Sequence, residues 1–280
     1  MAGLMLTFES VSYRYAGAAR PSLQDVSLVI GSGEVVGLVG ASEAGKTTLC
    51  LVAAGLAPRT VRGTLSGRIL LDGTDMAPLA IHELAGRVGI AFANPATQLS
   101  GVAGTVYVEV AFGPMNLGLP RSEVIDRTDA ALRALKIIDL AEREPALLSG
   151  GQQQLVAMAG LLALGPAHLV LDEPTAQLDP AGTRLVAQAL ARLAMDGASI
   201  LVAEQKTDLL ASICDRVVVL DAGRVALDGP AAEVLGDPRL ADLGVAAPAS
   251  VRLRRLADAA GASPATLSHL DGALALEATT

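Results

Sequence analysis

The sequence predicts an α/β fold around a P-loop core, and three observations lead to it. Residues 40–48, GASEAGKTT, fit the pattern G-x-x-x-x-G-K-[ST]. An apolar run at 35–39 with the character of a short buried strand precedes them, and an apolar run at 49–54 that reads as a helix follows. Far downstream, Leu169, Val170 and Leu171 form a strand that ends on the carboxylates of Asp172 and Glu173. Around this core the sequence predicts an antiparallel β subdomain, a helical insertion and a short C-terminal extension.

In order, residues 4–15 alternate as a strand, with Phe8, Val11 and Tyr13 interleaved with polar residues. Residues 16–21 read as a loop and 26–30 as a second strand. Gly31, Ser32 and Gly33 make a tight turn into the P-loop strand. Residues 66–74 read as a hairpin, with Asp72-Gly73 as a strong turn signal. Residues 88–92 form an apolar strand.

From residue 94 the character changes. Residues 105–111 are amphipathic, and 123–138 have a helical spacing that puts Val124, Ala131, Leu132, Leu135 and Ile138 on one side. This is the helical insertion, about 94–160. The apolar stretch 155–171 has nearly the length of a membrane span, but Gly160, Gly165, Pro166 and His168 interrupt it. Helix, turn and buried strand is the reading that fits. An amphipathic helix at 183–195, a strand at 199–203 and a hairpin of 217–220 with 224–227 complete the core. Beyond about residue 235 the Pro, Gly and Ala content rises, and two helices are expected, at 248–260 and 264–270. The expected division is therefore a nucleotide-binding domain over 1–235 and an extension over 236–280. Arg252, Arg254 and Arg255 read as a solvated helix face.

Acidic residues outnumber basic ones, 29 to 21, for a formal charge of −8. That balance speaks against a broad nucleic-acid surface, and no nucleic-acid partner is expected. Cys50 and Cys214 are far apart in apolar segments and read as small hydrophobes in a reducing compartment. The first residues lack a basic region followed by an apolar core, so no secretory leader is expected.

The candidate chemistry follows from the residue types. In Gly40, Ala41, Ser42, Glu43, Ala44, Gly45, Lys46, Thr47 and Thr48 the loop and helix start offer unpaired N–H groups, and the helix dipole adds positive potential. This is a nucleoside-triphosphate site of the P-loop NTPase kind. Lys46 is expected on the β- and γ-phosphates, and the Thr47 hydroxyl on Mg²⁺. Asp172 is expected to hold Mg²⁺ and Glu173 to polarise a water for in-line attack. Tyr15 has two readings: a ring stacked on adenine, or an aromatic that covers the sheet. Ser149, Gly150, Gly151 and Gln152 open a helix and offer a second anion-binding end.

With these pieces in order, residues 4 to about 235 resemble an ATP-binding cassette (ABC) ATPase. The resemblance rests on the P-loop, on LSGGQ at 148–152, on LDEPT at 171–175 and on Leu178-Asp179. It implies a head-to-tail pair with ATP sandwiched between the P-loop of one subunit and the LSGGQ turn of the other, with Asp179 at the seam. Residues 92–99 (FANPATQL) and 105–114 (TVYVEVAFGP) are similar to the energy-coupling-factor subgroup, as is the C-terminal extension. That likeness implies a second ABC ATPase subunit and a transmembrane coupling or permease subunit on the cytoplasmic face of the membrane. The cargo would be a vitamin or a metal ion. ATPases of other ABC transporters, such as exporters, and non-transport members are the alternatives.

Three positions depart from the pattern. Ala93 stands where the family has a glutamine that contacts Mg²⁺ or the attacking water. Gln98 matches a second glutamine and does not replace it. Gln205 stands where the family has the switch histidine on the γ-phosphate, and an amide cannot carry charge or relay a proton. Glu43 replaces a loop glycine. Two readings remain: slow hydrolysis at one half of an asymmetric dimer, or an ordinary site that tolerates the variants.

Overall fold

The computed structural model describes residues 4–262. Strands β1 (Leu6–Tyr15) and β2 (Leu23–Ile30) pair antiparallel and lead into β3 (Val35–Val39). The P-loop follows, then α1 (Lys46–Ala53). After it β4 (Gly63–Leu71) pairs with β1, and the expected turn at Asp72-Gly73 sends the chain into the short β5 (Thr74–Asp75). These four strands form an antiparallel sheet in the order β2-β1-β4-β5.

A one-turn helix α2 (Ile81–Ala85) leads to β6 (Val88–Ala91). Then come the three helices of the insertion, α3 (Val106–Asn116), α4 (Arg121–Ala134) and α5 (Gly150–Leu164). Gly165, left-handed at φ 63°, ends α5, so the apolar stretch 155–171 divides into helix, turn and strand. That strand is β7 (His168–Asp172), followed by α6 (Pro180–Met195) and β8 (Ser199–Ala203). Next are α7 (Thr207–Ile213), the hairpin β9 (Arg216–Asp221) and β10 (Arg224–Pro230), α8 (Ala231–Leu235) and α9 (Ala249–Ala259).

The second sheet has the order β10-β9-β3-β8-β7-β6, parallel except for the β10 edge. Every residue of β3, β7 and β8 is buried, as a strand covered on both faces requires. One core lies between the two sheets, where Phe8, Tyr13 and Leu28 meet Leu38, Leu49 of α1 and Val218. The other lies beneath α3 to α6 and joins Val110, Leu132, Val156 and Leu190 to Leu171 and Val202. Leu240, Val245 and Ala247, past residue 235, are buried in that second core. All of the parallel strands end on the same edge, so the turns that follow β3, β7 and β8 open side by side. In an open α/β sheet this is where ligands bind.

Some expectations change. Ile138 is 39% exposed and does not share the buried face of Val124, Ala131 and Leu132. The helix stops at Ala134, and Lys136 takes a left-handed φ of 52°, which breaks the spacing that joined them in sequence. β2 begins at Leu23, three residues before the expected strand. Cys214 is partly exposed rather than buried, and both cysteines are free. The helix expected at 264–270 lies outside the described residues. Arg252 and Arg255 are exposed on α9, and Arg255 donates to the Gly236 carbonyl at 2.8 Å.

Candidate nucleotide site

The P-loop runs from the end of β3 to the start of α1. Gly45 is the N-cap of that helix at φ 107°, and a Cβ there would lie 2.6 Å from the Ser22 carbonyl oxygen. Only glycine holds this backbone. Lys46 is 8% exposed, and its ammonium donates to the carbonyls of Gly40 (2.8 Å) and Ala41 (3.0 Å). The cation is thus held across the loop by its own backbone carbonyls. Glu43 adopts φ 64°, so the position where a glycine was expected does use a left-handed backbone.

Two hydroxyls at the helix start have polar neighbours. Thr48 Oγ1 lies 3.0 Å from the Tyr15 hydroxyl. The Thr47 hydroxyl neighbours the carboxylate of Asp172, which ends β7 and is 7% exposed. Burial pushes the Asp172 carboxyl above its ordinary value, and the neighbouring Glu173 and Glu204 act in the same direction; the Thr47 hydroxyl and Lys46 pull it down. A buried carboxylate beside a hydroxyl offers the hard oxygen donors that suit a small divalent cation.

Glu173 follows directly. Its backbone is left-handed (φ 52°), its N–H donates to the Ala203 carbonyl at 2.8 Å, and its Oε1 accepts from Nε2 of Gln205 at 2.6 Å. The parallel register of β7 and β8 sets Asp172 opposite Ala203, and this is what brings residues 173 and 205 together. A cleft of about 780 Å³ gathers the set, with Tyr15, Glu43, Lys46, Thr47, Glu173 and Gln205 in its wall. Tyr15 packs edge-on against Tyr13, with 5.1 Å between ring centroids.

Residues 149–152 do not line this cleft. Ser149 is the N-cap of α5, with Oγ accepting from Gln152 N–H at 3.3 Å and Gln152 Oε1 accepting from Ser149 N–H at 3.1 Å. This reciprocal pair leaves the N–H groups of Gly150 and Gly151 at the helix start. Asp179 caps α6 through Gly182 N–H at 2.7 Å.

Ala93 follows β6 and is partly buried. The amide of Gln98 is spent on the backbone, accepting from Phe92 N–H at 2.8 Å and donating to the Ile90 carbonyl at 3.0 Å. It therefore braces the strand end. Sequence reasoning missed Arg20, which lines the cleft, and the role of Glu204. Glu204 is 2% exposed and accepts from Thr175 Oγ1 at 2.6 Å and from Gln205 N–H at 2.8 Å. A lone carboxylate at the end of an apolar strand was the available signal, since such a group must find donors.

The sequence profile described as ABC transporter matches residues 23–176. A putative ABC transporter ATP-binding protein of Methanosarcina mazei is 40% identical over 255 residues, covering 90% of this chain and 43% of that protein. The chain thus spans less than half the length of that relative. The cobalt import ATP-binding protein CbiO of Rhodobacter capsulatus is 39% identical over 238 residues, covering 83% of this chain and 81% of CbiO. Among solved structures, cbiO1 from Clostridium perfringens, part of the ABC transporter complex cbiONQ, superposes with a TM-score of 0.73. It is 34% identical and covers 85% of this chain and 93% of its own.

Proposed function

The chain belongs to the ABC transporter family, and on that premise we propose that it is an ATPase subunit of an energy-coupling-factor importer, paired with a second cassette whose site is stronger. The observation that carries this reading is the single cleft in which Lys46, Thr47, Glu173 and Gln205 meet. The P-loop N–H groups and Lys46 would bind the phosphates of ATP, and Tyr15 the adenine. Thr47 and Asp172 would hold Mg²⁺, which supplies positive charge to the phosphate oxygens when bound. Glu173 would take a proton from the attacking water. The γ-phosphorus then gains the water oxygen and loses its bond to the bridging oxygen of ADP, and the proton leaves with the phosphate.

The LSGGQ turn lies outside its own chain's cleft, which supports a role in completing the site of a second subunit. The length of the M. mazei relative, more than half of it unmatched, leaves room for another cassette and suits a paired arrangement. Ala93 and Gln205 support assigning the weaker site to this chain. Loss of one transition-state contact costs about 2.7–4 kcal/mol.

Import rather than export is supported by the likeness to CbiO and cbiO1 and by the two stretches at 92–99 and 105–114. Val108, Phe112 and Met115 are exposed along one face of α3, an apolar surface suited to a membrane subunit. Among the described residues no helix is long and apolar enough to cross a membrane, so attachment to the cytoplasmic face would run through that subunit. Affinity purification of the tagged full chain from its own membranes tests the reading. A transmembrane coupling protein and a second cassette are expected to copurify; recovery of the chain with neither contradicts it.

A further inference from the structure

We propose that the groove between α4, α5 and α6 is a binding site for a small amphipathic monoanion: a carboxylate on a hydrocarbon chain, of the fatty-acid kind. The groove encloses about 590 Å³, a size that suits a small organic ligand. None of its lining residues lines the nucleotide cleft. It is a separate place on the molecule.

The hollow follows from side-chain size. Ala131 of α4, Ala163 of α5 and Ala189 of α6 are buried, and each brings only a methyl group to the groove. Helices packed through larger side chains interdigitate and leave no such space. Leu162 and Leu193, both half-buried, complete an apolar floor. Among the described residues no aromatic ring, amide or hydroxyl side chain lines it. The floor therefore offers an occupant hydrocarbon contact and no hydrogen bond.

The charged groups stand at the rim, and they select the head of the ligand. Arg127 is already engaged: its guanidinium forks onto Glu123 Oε1 at 2.7 and 3.0 Å and donates to the Leu164 carbonyl at 3.1 Å. The guanidinium of Arg133, on α4, has one contact, to Asp129 at 3.5 Å. Arg192, on α6, is exposed, and among the described residues nothing pairs with its guanidinium. Two guanidinium groups with donors to spare, offered from two helices, suit a carboxylate, whose two oxygens match the planar fork. Asp196 lies one helical turn beyond Arg192 on the same rim, and its charge opposes a doubly charged head such as a phosphate monoester. A singly charged head on an apolar chain is the chemistry that satisfies both rim and floor. Such a ligand touches α4 and α5 of the helical insertion and α6 of the core at once, and so bridges the two layers.

Isothermal titration of the purified full chain with octanoate, well below its micelle-forming concentration, tests the site. One saturable site is expected. Arg133→Gln and Arg192→Gln each remove a charge-assisted hydrogen bond and are expected to weaken binding by about tenfold or more. Both positions are exposed, so the native Tm is expected to hold. Ala134→Trp, on the exposed edge of the groove, is expected to abolish binding by filling the space. 1-Octanol has the chain without the charge, and octyl phosphate at about pH 8 carries a second charge. Each is expected to bind at least about tenfold more weakly than octanoate. The assignment is overturned by the absence of saturable binding, or by octanoate affinity that is unchanged in the arginine variants or in Ala134→Trp. It is overturned equally if 1-octanol or octyl phosphate binds as tightly as octanoate.

Discussion

The Tyr15 hydroxyl lies 3.0 Å from Oγ1 of Thr48, tying the last residue of β1 to the first turn of the P-loop helix. The same ring packs on Tyr13 and lines the cleft, so sheet cover and base stacking are compatible roles for it. Tyr15→Ala is expected to weaken ATP binding about tenfold or more, since stacking of a base on an aromatic ring contributes ~1–3 kcal/mol. Tyr15→Phe keeps the ring and is expected to stay within about threefold. Titration with a fluorescent nucleotide checks both, and equal affinities for all three chains would leave Tyr15 as sheet cover alone.

Glu43 carries a negative charge into the cleft that Lys46 and Thr47 line, on a left-handed backbone. A unit charge about 4 Å away in water amounts to ~1 kcal/mol. Glu43→Gly is therefore expected to tighten ATP binding by up to about fivefold, an advantage that shrinks between about 50 and 500 mM salt as screening grows. Calorimetric titration at the two salt concentrations measures it. A gain that salt does not diminish would mean that backbone conformation, not charge, is responsible.

At Gly45 a methyl group would meet the Ser22 carbonyl oxygen at 2.6 Å on a left-handed backbone. Gly45→Ala is expected to cost about 2–3 kcal/mol of stability and to abolish nucleotide binding. Gly17 is also left-handed, but a Cβ there meets nothing within 4 Å, so Gly17→Ala bears only the backbone cost of about 1–2 kcal/mol. Urea midpoints that fall equally in both variants would argue against the contact.

His168 is fully buried at the start of β7, its Nδ1 2.5 Å from Ser199 Oγ and its Nε2 3.1 Å from Asp72 Oδ1. Nε2–H donates to the carboxylate, which leaves Nδ1 to accept from the serine. Burial pushes this imidazole below its ordinary value against the pull of Asp72. The unfolded chain takes up the proton near pH 6.5 and the folded chain only at lower pH, so the unfolded state binds more protons in between. The stability that neutral His168 brings is lost as pH falls through that window. His168→Gln is expected to lower Tm at pH 7.5, and the gap from the native chain to close toward pH 5.5. A gap independent of pH would contradict the neutral, buried ring.

Much of this was legible in sequence because it depends on local rules. The strand at 199–203 and the turn at Asp72-Gly73 follow from apolar runs and turn chemistry, and the phosphate loop from its glycines. What sequence could not show depends on strand pairing. Residues 173 and 205 are neighbours only because β7 and β8 lie side by side. Asp72, His168 and Ser199 come from three separate strand ends, so His168 read only as an interruption in an apolar run. Ile138 failed for a local reason: the left-handed turn at Lys136 falls on a residue type that gives no turn signal.

Steady-state ATP hydrolysis by the purified full chain, beside an Ala93→Gln, Gln205→His double variant, tests the weak-site proposal most directly. Slow native turnover that rises tenfold or more in the variant, ~1.4 kcal/mol of barrier, is the expected result. Native turnover that the variant does not improve would contradict it, and the chain would then be an ordinary cassette able to work as a pair of identical copies.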